Sequence, residues 1–211
     1  MKLYRISFAF MLLAPLAVAQ QWEAGGLGGF SFNPSTTVTN SSGTATTGFK
    51  NGFLVGAFAG SDDYARLSGE ASYIFRQSDS MVSSGGQEVD FAGHTQFLDF
   101  RMLVHATSRE SRIRPFVAIG GGVAIYSGTG QPNAAQPLND FVALTNTRET
   151  KPMISGAGGI KCRLSQHVGL RFEFRDYATP FPNRLIAPVP GTTVGGWAQN
   201  FVVMGGISGI F

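Results

Sequence analysis

The chain has 211 residues, of which 28 are glycine, and only 14% are charged, against about 25% in an average soluble domain. Lys2 and Arg5 supply two of its three net positive charges, so a chain without them would be nearly neutral. This balance gives no reason to expect nucleic acid as a partner and is typical of a chain with lipid on one side. Cys162 is the only cysteine, which excludes an internal disulfide.

The amino-terminal segment has the pattern of an export signal. Lys2 and Arg5 precede an apolar run at residues 6–18, and Ala17-Val18-Ala19 gives the small-residue cleavage pattern. The apolar run is shorter than the ~20 residues that a membrane-spanning helix needs. We therefore predict a signal peptide at residues 1–19 and, because no linker divides the rest, one domain at residues 20–211.

The remaining chain contains no run of 18 apolar residues, which excludes membrane helices. It does contain segments with the length and alternation of transmembrane strands. These segments are residues 21–32, 49–60, 65–77, 94–106, 113–127, 151–163, 167–178 and 196–211. Long polar connections at residues 33–48, 78–93, 128–150 and 179–195 alternate with short links at 61–64, 107–112 and 164–166. The alternation predicts an all-β, eight-stranded antiparallel up-and-down transmembrane β-barrel, with long loops outside and both termini in the periplasm.

The last strand shows the two faces most clearly. Trp197, Val203 and Ile207 recur with period two on one face, and Asn200 and Ser208 lie on the other. The chain then ends on Phe211, and a terminal apolar residue must be held by a neighbouring strand, by lipid or by an insertion machine. Aromatic residues near strand ends are predicted to form interfacial girdles, namely Trp22, Tyr73, Tyr177 and Trp197.

Charged residues in the strands are predicted to face the lumen. An Arg or Lys facing the bilayer midplane costs about 2–4 kcal/mol, and buried charges are tolerated only when they are paired. We therefore predict a lumenal ion-pair network formed by Glu23, Glu70, Asp99, Arg101, Lys161, Arg171, Glu173 and Arg175. Side chains fill the bore of an eight-stranded barrel, so a closed polar core is expected. A narrow path for ions or small solutes is the alternative.

The search for catalytic and metal sites gives weak signals only. His94 lies near the predicted outer rim, close to Ser78, Ser80, Ser83, Ser84 and Asp90, which leaves a lipid-modifying hydrolase as a further alternative. His105 and His167 lie near strand ends, where structural roles are expected. The pair Asp62-Asp63 is read as a turn, and no metal or cofactor site is predicted.

The glycine-rich strands GGLGGFSF (residues 25–32) and ISGAGGIKCRLS (154–165), the strand GLRFEFRDY (169–177) and the terminal Phe211 resemble outer-membrane β-barrel domain proteins of the OmpA/OmpX type. The resemblance covers essentially the whole chain after the signal. It implies that Phe211 serves in recognition by the barrel-assembly machinery and that a charged lumen includes Glu70, Lys161, Arg171 and Glu173. OmpA continues into a peptidoglycan-binding domain, whereas this sequence stops at Phe211, so cell-wall anchoring is not expected.

These observations predict a monomeric protein of a Gram-negative-type outer membrane, in contact with its lipid. The expected role is structural or interactive, with four surface loops available to a ligand that the sequence does not identify. No enzymatic activity is expected. A soluble lipocalin-like binder is the alternative that needs no membrane.

Overall fold

The computed structural model describes residues 22–40, 43–62, 66–131, 137–190, 192, 194 and 196–211. The predicted signal peptide lies outside the described residues. The strands are β1 (Trp22–Phe32), β2 (Thr36–Asn40), β3 (Gly43–Phe49), β4 (Gly52–Ser61), β5 (Leu67–Gln77), β6 (Ser80–Ser84), β7 (Gln87–Phe91), β8 (Gly93–His105), β9 (Ile113–Gly128), β10 (Val142–Leu144), β11 (Arg148–Arg163), β12 (Val168–Pro180), β13 (Ile186–Pro188) and β14 (Trp197–Ile210). Among these residues, no helix is long and apolar enough to cross a membrane.

Eight strands form the closed antiparallel barrel that the sequence predicts, in the order β1, β14, β12, β11, β9, β8, β5 and β4. The predicted bounds differ by a few residues: the second barrel strand begins at Gly52 rather than at 49, and the sixth at Arg148 rather than at 151. Pairing of β1 with β14 closes the circle. At its end the Phe211 amide donates to the Trp22 carbonyl at 2.8 Å, so the first strand holds the backbone of the last residue.

The outer surface of the barrel is apolar. Large side chains that face outward on different strands are exposed, including Phe53, Phe100, Val117, Ile119 and Phe172. Trp22 and Trp197 also lie on this surface, each at the first residue of its strand, whereas Tyr73 lies on it in the middle of β5. Such a surface is stable in lipid and not in water.

The prediction of a girdle position for Tyr177 is wrong. Its side chain is fully buried and stacks on Phe97, with the ring centroids 4.4 Å apart. Tyr177 follows Arg175 at period two on β12 and therefore faces the lumen with it.

The long connections contain strands that the sequence analysis did not predict. β2 and β3 form a hairpin, β6 and β7 form another, and pairing of β3 with β6 joins them into a four-stranded sheet. β10 and β13, from the two remaining long connections, also pair. β2, β3 and β6 are short and rich in Thr or Ser, and β10 and β13 have only three residues each, so the local pattern favoured loops. We call these six strands the loop platform.

The loop platform and the barrel share one hydrophobic core. Val38 and Val82 from the four-stranded sheet and Leu144 from β10 are buried in the same cluster as Phe97 of the barrel lumen. Phe49 stacks on Tyr126 of β9 with the ring centroids 5.1 Å apart. The loops therefore cover this end of the barrel.

The orientation of the barrel can be tested with cysteine labelling in intact cells. Thr37 is exposed on the loop platform, and Gln166 is exposed in the short link between β11 and β12. A membrane-impermeant maleimide is expected to label Thr37→Cys in intact cells. It should label Gln166→Cys only after lysis, because short turns of such barrels face the periplasm. The parent protein, whose one cysteine is Cys162, is the control for background labelling. The reverse labelling pattern would contradict this orientation.

Candidate functional site

The middle of the lumen contains three arginines and three carboxylates. They come from β5, β8 and β12, and each is at most 6% exposed. The residues are Glu70, Asp99, Arg101, Arg171, Glu173 and Arg175. Formal charge within this group is balanced, which is the condition for charges to be buried together. We call the six residues the central network.

Glu173 is the hub of the central network. Its carboxylate lies 2.6 Å from Arg175 Nε and 2.8 Å from Arg171 Nε. Arg101 donates to both of its oxygens, with Nη2 3.1 Å from Oε2. One carboxylate therefore contacts all three guanidinium groups.

Glu70 and Asp99 complete the pairing. Glu70 accepts from Arg101 Nη2 and from Arg171 Nη1, each at 2.6 Å. Asp99 accepts from Ser155 Oγ at 2.8 Å and from Arg175 Nη1 at 3.4 Å. Every carboxylate of the central network thus has an arginine partner within hydrogen-bonding distance.

Glycines on neighbouring strands make room for the network. The directly opposite residues are Gly60 for Glu70, Gly122 for Asp99, Gly120 for Arg101, Gly206 for Arg171 and Gly159 for Glu173. A Cβ added at Gly120 would lie 2.8 Å from Arg101 Cα. A Cβ added at Gly159 would lie 2.7 Å from the Phe116 ring. The large charged residues therefore fit because small ones lie across from them.

Two of the eight predicted network residues lie apart from the others. Lys161 Nζ is 2.6 Å from Glu23 Oε2, and Ser208 Oγ donates to Glu23 Oε1 at 2.8 Å. This pair lies toward the short-link end of the barrel, near the first residues of β1 and the last of β11. The sequence analysis placed all eight residues in one lumen but could not separate this pair from the six residues of the central network.

The sequence analysis missed a buried cluster at the same end. Arg114 forms an ion pair with Asp62, which also accepts from Ser68 Oγ at 2.8 Å. Burial alone would raise the pKa of the Asp62 carboxyl, but the hydrogen bonds from Arg114 and Ser68 outweigh it and lower that pKa below its usual value. Asp62 was read as turn chemistry because its ion-pair partner, Arg114, is distant in sequence.

The histidines do not form a catalytic triad with described partners. His105 Nε2 lies 2.8 Å from Ser68 Oγ, but the Ser68 proton is donated to Asp62, so the histidine cannot be its base in this arrangement. His94 stacks on Phe75 at 5.3 Å, and in the described part of the chain it has no hydrogen bond to the Ser-rich loop or Asp90. The described residues also contain no group of three or more metal-ligating side chains.

Arg76 occupies the loop end of the lumen and was not included in the predicted network. It is fully buried and donates to Asn33 Oδ1 at 2.6 Å and to Asn200 Oδ1 at 2.9 Å. Its guanidinium lies over the Phe97 ring at 5.2 Å. Its partners are amides and rings rather than carboxylates, so a search for opposite charges did not find them.

Removing the hub should destabilise the barrel strongly. Glu173→Gln leaves three arginines with an incomplete set of carboxylates, and breaking a buried ion pair costs about 3–5 kcal/mol. The matched control is Glu88→Gln, since Glu88 pairs with Lys50 at 2.8 Å on the surface, where such a change costs about 0–1 kcal/mol. Urea unfolding in lipid vesicles measures both. Equal stability of the two variants would contradict the role of Glu173 as the hub.

Comparison with solved structures identifies similar barrels. The outer membrane protein OprG from Pseudomonas aeruginosa has a TM-score of 0.60 and 10% identity, with 91% of this chain and 96% of that chain covered. Neisserial surface protein A has a TM-score of 0.54 and 11% identity, with coverages of 90% and 97%. The Escherichia coli outer membrane protease OmpT has a TM-score of 0.52 and 11% identity, with coverages of 92% and 98%. At these identities the likeness shows the fold alone.

Sequence comparisons provide the family. No curated protein matches this chain. The family model described as outer membrane protein beta-barrel domain matches residues 6–203, which is nearly the whole chain. Together with the closed eight-stranded barrel and its apolar outer surface, this match shows that the chain belongs to the outer membrane protein beta-barrel domain family and is a protein of the Gram-negative outer membrane.

Proposed function

We propose that this protein is a closed, non-conducting and non-enzymatic barrel that presents the loop platform at the cell surface, in a structural or surface-interaction role. The observation that carries the proposal is the large hydrophobic cluster that the loop platform shares with the lumen. Loops that pack into the barrel are held in one conformation, which suits a surface for recognition.

Successive buried layers support a closed lumen. The central network fills the middle of the barrel, and Arg76 with its amide partners lies above it. Above Arg76, Phe49 and Tyr126 stack across the bore. Eight strands leave a bore that side chains fill or that holds at most one small ligand, whereas water-filled porins have about sixteen strands.

The outer face of the loop platform is polar and available to a partner. Thr37, Thr46, Ser83 and Glu88 form one cross-strand row, while the opposite face of the sheet is buried. Lys50 fixes the edge of this sheet, with Nζ 2.5 Å from Asp90 and 2.8 Å from Glu88. Its hydrogen bond to Asp90, followed in size of effect by the one to Glu88, raises the pKa of the Lys50 ammonium above its usual value.

Planar-bilayer recording separates this proposal from a narrow channel. The purified barrel is expected to give no discrete conductance steps, because the buried side chains of the central network and Arg76 lie across the lumen. An established porin in the same bilayer is the positive control. Discrete steps that change in Glu173→Gln but not in Glu88→Gln would replace the closed barrel with a channel through the network.

We also propose that residues 1–19 are a signal peptide and that Phe211 is read by the barrel-assembly machinery. The Phe211 backbone pairs with Trp22, but its side chain is 78% exposed, so internal packing does not explain an aromatic residue there. An exposed terminal ring is free to be recognised before the barrel closes.

Deletion of Phe211 should therefore slow insertion with little loss of stability in the inserted barrel. Pulse-chase labelling, with folded and unfolded barrels separated by gel mobility, measures the rate. Ile207→Ala is the matched control, since Ile207 lies on the same outward face as Phe211 and is 58% exposed. Normal rate and level of the truncated chain in the outer membrane would refute the assembly role.

A further inference from the structure

The short-link end of the lumen opens into a small pocket, with a cavity volume of about 30 Å³. Four basic side chains line it together with two carboxylates. They are Arg112, Arg114, Lys161, Arg163, Glu23 and Asp62. We call this the basic pocket. It is independent of the loop platform, which lies at the opposite end of the barrel.

The four basic residues form two rungs across neighbouring strands. Lys161 of β11 lies directly opposite Arg114 of β9. One step further out, the Arg163 amide donates to the Arg112 carbonyl at 2.7 Å, which places these two residues opposite each other. Alternate residues of a strand share a face, so all four lie on one side of the sheet. Like charges directly opposite each other are unfavourable unless something neutralises them.

Among the described residues, only the inner rung is neutralised by carboxylates. Lys161 pairs with Glu23 and Arg114 pairs with Asp62. Neither Arg112 nor Arg163 has a carboxylate partner among the residues that the structure describes. Both sit at the opening of the pocket, with Arg112 exposed and Arg163 partly exposed.

The inner rung also has an unused donor. Arg114 is 5% exposed and lines the pocket, yet its Nε is buried without a hydrogen-bond partner in the described structure. A buried donor of this kind costs free energy unless a ligand or water accepts from it. Among the described residues, the pocket therefore combines two cations without a carboxylate partner at its opening with an unpartnered donor on an arginine that lines it.

We propose that the basic pocket binds a phosphate-class oxyanion at the periplasmic end of the barrel. Arginines recognise phosphate oxygens through paired, charge-assisted hydrogen bonds, and Arg112 and Arg163 are placed to share one group. Leu170 and Ile210 add an apolar wall. The phosphate is either free in the periplasm or carried by a phospholipid headgroup of the inner leaflet, since the opening lies where the barrel strands end.

Titration with inorganic phosphate tests the site directly. Phosphate is titrated into the purified barrel in neutral detergent and its binding is measured by calorimetry. The double variant Arg112→Gln/Arg163→Gln should bind phosphate at least about tenfold more weakly than the wild type, because it loses two charge-assisted contacts. The matched control is Arg148→Gln/Arg184→Gln, which removes two exposed arginines at the loop end. Heat-dependent gel mobility confirms that each variant is folded. Added NaCl should weaken wild-type binding.

A lipid arm distinguishes the source. Barrels are reconstituted in vesicles of phosphatidylcholine with one tenth phosphatidylglycerol and then released from the vesicles into the gas phase. Native mass spectrometry measures which lipid stays bound to them. Retained phosphatidylglycerol that is lost in Arg112→Gln/Arg163→Gln assigns the site to a headgroup, while calorimetric binding of phosphate without retained lipid assigns it to the free anion. The proposal is overturned if neither probe binds, or if the double variant binds both as the wild type does.

Discussion

The structure depends on one constraint: charge carried by strands that are surrounded by lipid must be neutralised inside the barrel. Glu173 meets this constraint for three arginines at once, and Glu70 and Asp99 supply the remaining negative charge. The partners lie on β5, β8 and β12, so the network exists only when the barrel is closed. Glycines opposite the charged side chains supply the space, which accounts for part of the high glycine content.

The sequence contained enough to predict the barrel and the faces of its strands. Period-two alternation placed Arg101 and Glu173 inside, because either would be costly in lipid. It did not contain the register, so neither the Arg101–Gly120 juxtaposition nor the separation of Glu23 and Lys161 from the other six residues could be predicted. The loop platform was missed for a related reason. Pairing of β3 with β6 joins two connections that are far apart in sequence, and strand propensity alone does not reveal such contacts.

The two ends of the lumen differ in their chemistry. At the loop end, Arg76 is buried under aromatic rings and amides, and the loop platform packs above it. At the short-link end, ion pairs line a pocket that remains open. The loop end therefore has an apolar seal, whereas the short-link end has a basic opening. The two ends of the barrel thus present chemically different surfaces.

A buried polar network is rarely the most stable way to fill a core, since apolar residues of similar volume often do as well or better. In this barrel an apolar lumen would remove the difference between the two faces of each strand. A shift of β12 by one residue would then cost little, because lipid would accept either face. With the network present, the same shift turns Arg171, Glu173 and Arg175 toward lipid, at about 2–4 kcal/mol for each arginine near the midplane. The main effect of the network is thus to fix the register of the strands, and its contribution to the total free energy of folding is secondary.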